Sequence, residues 1–165
     1  FLHYERQAVV GDWRVILLDS ARPPEPAGWL PPAELAFLDA ALAADPDRAT
    51  LVALHHPPLA VGSAWLDPMG VGNGEELVRV IGPHPQVRAV VFGHIHQAFD
   101  THLHGVRYLG APSTCAQFLP GAAESAVDPR PPGFSWLRLN RDGSLATGVT
   151  RVPLEGAGAV STSPC

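Results

Sequence analysis

Val87-Arg88-Ala89-Val90-Val91-Phe92-Gly93-His94-Ile95-His96 decides how this chain folds. Its first six residues are mostly apolar and rich in valine, the composition of a strand buried on both faces. The run then stops at a glycine and two histidines. An earlier stretch repeats the plan: Leu51-Val52-Ala53-Leu54 runs straight into His55-His56-Pro57-Pro58. Two buried strands that both end in histidine place imidazoles at one edge of a sheet. In open α/β sheets the carboxyl edge is where ligands bind. Neutral imidazole is the commonest side-chain ligand for zinc, iron and similar ions, so His55, His94 and His96 read as half of a metal site. Alternation along a strand would by itself set His94 and His96 on one face. The third histidine, behind a second matching strand, shifts the reading to a ligand set. Gly93 fits it, because a residue without Cβ lets backbone approach a ligand closely.

Outward from these two stretches the elements alternate. Trp13 to Asp19 reads as a strand, with Gly11-Asp12 a turn before it. Arg22 to Gly28 is proline-rich and reads as a loop. Pro31-Pro32 suits a helix first turn, where the missing N–H costs nothing. That helix runs to about Ala44, with Leu35, Leu38 and Leu42 at helical spacing as core residues. Leu51 to Leu54 is the next strand. A long loop leads to Asn73, a cap for a short helix over Glu75 to Ile81, and Val87 to Phe92 returns as a strand. Strand–helix–strand–helix–strand implies parallel strands with right-handed crossovers. After His96 the spacing changes: Phe99 to His104, Val106 to Gly110, Phe134 to Asn140 and Ser144 to Val152 read as antiparallel strands. Gly105 and Arg141-Asp142-Gly143 supply the turns. Pro120 to Gly133 reads as an irregular loop. The fold class is α/β with a mixed sheet, parallel strands followed by antiparallel ones.

Composition narrows the function. The 165 residues suffice for one domain with a real core, and hydrophobic residues make up 46%. All eleven basic residues are arginine, the net charge is −5, and no basic run occurs. A nucleic acid duplex is therefore not expected as a partner. No apolar run is long enough to span a membrane, and no basic segment followed by an apolar one marks a leader. Cys115 and Cys165 form no disulfide framework. Cys115 is expected as a small buried residue, Cys165 in a Gly/Ala/Ser-rich tail, and the location as the cytoplasm.

His-His-Pro-Pro followed by Gly-His-Ile-His resembles the last two motifs of the calcineurin-like metallophosphoesterases. Val61 to Asp67 and Ala111 to Phe118 are similar to class III cyclic-nucleotide phosphodiesterases, the cyclic-AMP type, and the resemblance runs from about residue 8 to about residue 150. It implies a four-layer αββα sandwich, of which residues 1 to 154 would be the carboxyl-terminal portion, with 155 to 165 a flexible tail. It also implies two metal ions, with His55 and His94 on one and His96 on the other. Iron or manganese is the expected metal, with zinc or cobalt also accepted by such sites. Two ions roughly 3.5–4 Å apart hold phosphate oxygens, acidify a water and stabilise attacking and leaving oxygens. The implied reaction is hydrolysis of a 3',5'-cyclic nucleotide, cyclic AMP foremost, to the 5'-monophosphate.

The family's remaining ligands, an Asp-x-His pair, a bridging Asp and an Asn-His pair, are not found at the expected places. Asp100-Thr101-His102 has the first form but follows Gly-His-Ile-His, and it reads as a polar hairpin strand. The expectation is thus a half-site that is inactive alone and that contacts the amino-terminal half of its domain or a second copy of itself. The alternative is an inactive scaffold on the same fold, as in the retromer-type subunit. A mononuclear zinc site is a third reading.

Further candidates have two readings each. His56 either contacts substrate or points to the opposite strand side. Trp65 either stacks on a purine or packs in its loop. Asp67 either orients a ligating histidine or caps a turn. Thr114 and Gln117 follow a strand near the site and would shape it. His102 and His104 read as a solvated strand face, and His3 and His84 as surface.

Overall fold

The computed structural model describes residues 5–153. The tail expected over 155–165, with Cys165, and His3 lie outside the described residues. The valine-, isoleucine- and leucine-rich runs form strands where their composition places them. In chain order the elements are β1 (Gln7–Val10), β2 (Trp13–Leu17), α1 (Pro32–Ala44), β3 (Ala49–Leu54) and α2 (Gly74–Ile81). They continue with β4 (Val87–Phe92), β5 (Phe99–Leu103), β6 (Val106–Gly110), β7 (Gln117–Phe118), β8 (Val127–Asp128), β9 (Gly133–Leu139) and β10 (Leu145–Arg151).

A six-stranded sheet runs in the order β1-β2-β3-β4-β6-β5. β2, β3, β4 and β6 are parallel, and β1 and β5 close the two edges antiparallel. β6 thus departs from the expectation of antiparallel strands throughout the second half. It pairs antiparallel with β5 but parallel with β4, because the β5–β6 hairpin folds back and inserts its second strand next to β4. β1 was not expected; Gly11-Asp12 is the turn of the hairpin it forms with β2.

Both helices cover one face. Leu35, Leu38 and Leu42 of α1 and Leu77 and Ile81 of α2 bury against Ile16, Val52, Val90 and Tyr108. The second face carries Trp13, Ala49, Leu51, Ala89 and Leu109, and the β9–β10 hairpin lays Leu137, Leu139 and Leu145 over it. The Trp13 indole N–H donates to the Asn140 carbonyl at 2.8 Å and ties that hairpin down. The second face of the sheet is therefore partly capped by this hairpin. Apolar exposure moves to the hairpin's own outer face, where Phe134 and Trp136 stand 46% and 41% exposed.

Asn73 does precede α2, but its side chain does not cap it. The amide is buried and clasps Leu30 instead, accepting the Leu30 N–H at 3.0 Å and donating to the Leu30 carbonyl at 2.8 Å. Cys115 is exposed, contrary to expectation. β6 has ended at Gly110, so Cys115 sits in a loop and not on a core strand. Among the described residues no helix is long and apolar enough to cross a membrane.

Candidate metal centre

Four parallel strands deliver their carboxyl ends to one edge. β2 leads into Asp19-Ser20, β3 into His55-His56, β4 into Gly93 to His96, and β6 into the loop from Ala111 to Ala116. Backbone bonds past the strand ends hold these exits together: Gly93 N–H donates to the His55 carbonyl at 3.0 Å and Ala111 N–H to the Phe92 carbonyl at 2.9 Å.

Gly-His-Ile-His is not a continuation of β4. The strand stops at Phe92, and His94 and His96 are left-handed, with φ of 66° and 51°. Ile95 between them is fully buried. One face of a strand, the bland account of two alternating histidines, is therefore not what holds them. A left-handed residue with a Cβ costs about 1–2 kcal/mol, and such conformations concentrate at functional sites. Here the core seat of Ile95 turns both flanking imidazoles to the sheet edge. A Cβ on Gly93 would stand 3.6 Å from His55 Nδ1, an ordinary contact.

Three imidazoles converge. The ligand nitrogens of His55, His56 and His94 all lie within 4.8 Å of one another. His94 Nδ1 and His55 Nε2 are 3.2 Å apart. Two nitrogens each about 2.0–2.1 Å from one ion stand about 3 Å from each other, so this spacing suits two ligands of a single cation. His94 Nε2 is buried and has no hydrogen-bond partner among the described residues. Burial, with His56, His55 and His96 close by, pushes the His94 imidazole down to about 4. Burial first, then His55, lowers His56, with the Pro26 carbonyl and Asp19 acting the other way. Burial also lowers His96, opposed by its bond to Ala116. Depressed values keep these rings neutral, the form that has a lone pair for a cation. The donor set and its spacing fit a metal ion.

His96 stands outside this triad. Its Nδ1 donates to the Ala116 carbonyl at 3.0 Å, which leaves the lone pair on Nε2. Its ring stacks on Phe118, centroids 4.5 Å apart and 4° from parallel. His56, with a substrate contact and a turn to the opposite strand side as its two readings, lies with its ring beside those of His55 and His94. His56 is buried, and its Nδ1 lies 2.9 Å from Ser20 Oγ.

The other expected site residues divide. Trp65 packs on the core and meets Phe118 edge-on, ring centroids 5.0 Å apart. Asp67 Oδ1 accepts the Val61 amide at 2.7 Å, which matches the turn-cap account and not a contact with histidine. Thr114 is exposed. Gln117 is buried and bonds back to Ser113 and the Cys115 carbonyl, shaping the loop whose Ala116 carbonyl holds His96. Asp100 pairs with Arg107 at 2.8 Å across the β5–β6 hairpin and is no ligand pair with His102.

Sequence reading missed Ser20 and Phe118. Ser20 had a usable signal, because it lies just past an apolar strand, as His55 does. Phe118 had none, since its contact depends on how two loops meet.

No family model matches the chain. Curated relatives do. It is 45% identical over 143 residues to the 3',5'-cyclic adenosine monophosphate phosphodiesterase CpdA of Pseudomonas aeruginosa, covering 87% of this chain and 53% of that one. It is 46% identical over 143 residues to the 3',5'-cyclic-nucleotide phosphodiesterase alr5338 of Nostoc, covering 87% and 54%. The CpdA of Escherichia coli K12 is 40% identical over 148 residues, covering 89% and 54%. The chain spans about half the length of the curated relatives it matches. Solved structures share the fold. A dimetal phosphatase from Danio rerio superposes with a TM-score of 0.50 at 18% identity, covering 61% of this chain and 46% of that one. GAP50, the anchor in the inner membrane complex of Plasmodium, gives 0.61 at 13% identity, covering 88% and 48%.

Proposed function

We propose that this chain belongs to the calcineurin-like metallophosphoesterases, and within them to the cyclic-nucleotide phosphodiesterases, and is the histidine-bearing half of a two-metal site that hydrolyses a 3',5'-cyclic nucleotide. The observation that carries the reading is the convergence of His55 and His94, with nitrogens 3.2 Å apart, at the carboxyl edge of the parallel strands. His55 and His94 would hold one ion. His96, with Nδ1 committed to Ala116, would offer Nε2 to a second.

When bound, the ions supply charge neutralisation for the phosphodiester and an acidified water. The chain's own residues do the rest. Neutral imidazoles hold cations without adding negative charge to a site that must accept an anion. The buried Ile95 and the strand ends fix ligand geometry. Phe118 covers one face of His96 and limits its rotation. The loop from Val61 to Asp67, with Trp65, and the loop carrying Thr114 would shape substrate access. Iron or manganese is the proposed metal, and cyclic AMP the proposed substrate.

Residues 1 to 154 constitute, in this reading, the carboxyl-terminal portion of one phosphoesterase domain. The residues before His55 contain no Asp-x-His or Asn-His pair. The remaining ligands would come from an amino-terminal half that packs against this one, and this chain alone would not turn over substrate.

The test assays full-length protein with cyclic AMP and a generic diester, with manganese, in wild type and His94→Ala. Metal-dependent cyclic AMP hydrolysis, and about two ions per site by elemental analysis, are expected in the wild type alone. Equal activity in both proteins removes the proposal. Full metal binding without hydrolysis favours the scaffold.

A further inference from the structure

We infer that Arg151, acting through Gln117, is a positioning residue for His96, so that the base of the β9–β10 hairpin governs the second ion and leaves the ion at His55 and His94 unaffected. This rests on the two-metal reading of the site.

Three contacts seat His96, and all come from one short segment. Its Nδ1 donates to the Ala116 carbonyl at 3.0 Å. Its ring stacks on Phe118. Its own carbonyl accepts the Phe118 N–H at 3.4 Å. Gln117 lies between these two residues and is 1% exposed. A side-chain amide has two N–H groups and two oxygen lone pairs, and Gln117 uses all four. Nε2 donates to the Ser113 carbonyl at 2.7 Å and to the Cys115 carbonyl at 3.0 Å. Oε1 accepts the Ser113 N–H at 3.2 Å and the Arg151 guanidinium at 2.8 Å. A buried amide with every position filled holds the backbone around it in one arrangement, because any other leaves a buried polar group unpaired. The carbonyl that orients His96 is pinned with it.

Arg151 is the charged member of this set, and a hydrogen bond from an ionised donor is roughly twice as strong as a neutral one. Its Nη1 also donates to the Pro131 carbonyl at 3.0 Å. Glycine permits the approach: a Cβ on Gly133 would stand 2.9 Å from Arg151 Cδ and 2.7 Å from the Thr150 carbonyl oxygen. The Gly133 N–H donates to the Ser113 carbonyl at 2.8 Å, so the hairpin base grips the segment at two points. His55 and His94 have a support of their own, the ends of β3 and β4 joined by the Gly93 N–H on the His55 carbonyl.

The test follows the histidine ring nitrogens of 15N-labelled full-length protein by NMR during a zinc titration. Arg151→Met and Gln117→Met should each raise the zinc concentration for half-saturation at His96 about 10-fold, with that at His55 and His94 unchanged. Arg151→Lys, which keeps the charge, should regain most of the loss. Weakening at all three histidines alike, the mark of a merely structural role, overturns the inference, and so does no weakening at His96. In the wild type the Gln117 side-chain N–H protons should exchange with solvent far more slowly than those of the exposed Gln7. Equal exchange overturns the inference whether or not the variants fold. Wild-type protein that binds no ion at His96 would instead count against the two-metal reading, which separates the two failures.

Discussion

The imidazoles of His56, His94 and His96 are kept neutral by burial, and this has a consequence for the metal-free protein. His94 falls from an ordinary 6.5 to about 4, so between those values the unfolded chain takes up a proton that the folded chain refuses. Stability therefore declines as pH drops from 6.5 toward 4. Urea midpoints measured across that range should fall with pH, and His94→Gln should flatten the slope; an unchanged slope would show that His94 is not held neutral. A second prediction concerns Gly28. With a Cβ 2.6 Å from the His56 ring, Gly28→Ala should cost about 1–3 kcal/mol of stability, read as a lower urea midpoint; an unchanged midpoint would show that the contact is relieved at no cost. Of the site residues, His55, His94 and His96 were legible in sequence because each ends or follows a hydrophobic strand. That His56 joins the triad was not, since a residue after a strand end can turn either way.

Elements show where propensity was a good guide and where tertiary contacts replaced it. Asn73 lies at the position expected of a helix cap, yet both ends of its amide go to Leu30, 43 residues away. Asn73→Ala leaves a buried N–H and a buried carbonyl of Leu30 without partners, and about 2–4 kcal/mol should be lost in chemical denaturation; a loss under 0.5 kcal/mol, the scale of a surface change, would make the clasp incidental. In the β5–β6 turn His104 is left-handed, with φ of 51°, beside Gly105. His104→Gly relieves that conformation and should raise stability by up to about 1 kcal/mol. The same relief is not open to His94 and His96, whose left-handed backbones aim the proposed ligands. Strand cores and helix spans followed their hydrophobic spacing: the Val87–Phe92 and Val106–Gly110 strands fall where the sequence puts them. The two-residue strands β7 and β8 had no such signal, since a pair of residues has no period.

On the scale of the whole molecule, helices cover one face of the sheet and the β9–β10 hairpin covers part of the other. The outer face of that hairpin holds Phe134 and Trp136, two residues apart on β9 and 46% and 41% exposed. We propose that this apolar pair faces the amino-terminal half of the phosphoesterase domain. The 165-residue chain alone should self-associate in sedimentation velocity, and the double change Phe134→Ser, Trp136→Ser should return it to a monomer. Monomeric wild-type chain at tens of micromolar would argue that this face needs no partner.

What the sequence determined by itself is local: which runs are strands, where α1 begins and ends, and that three histidines leave strands at one edge. Hydrophobic spacing and proline placement act over a few residues and are written in order along the chain. What only tertiary structure decided is mutual: β6 lying between β4 and β5, Asn73 on Leu30, Phe118 on His96, and Ser20 against His56. Those contacts join segments whose separation along the chain bears no relation to their separation in space. Burial, the source of the neutral imidazoles and of the demand that each buried polar group find a partner, exists only once the segments have met.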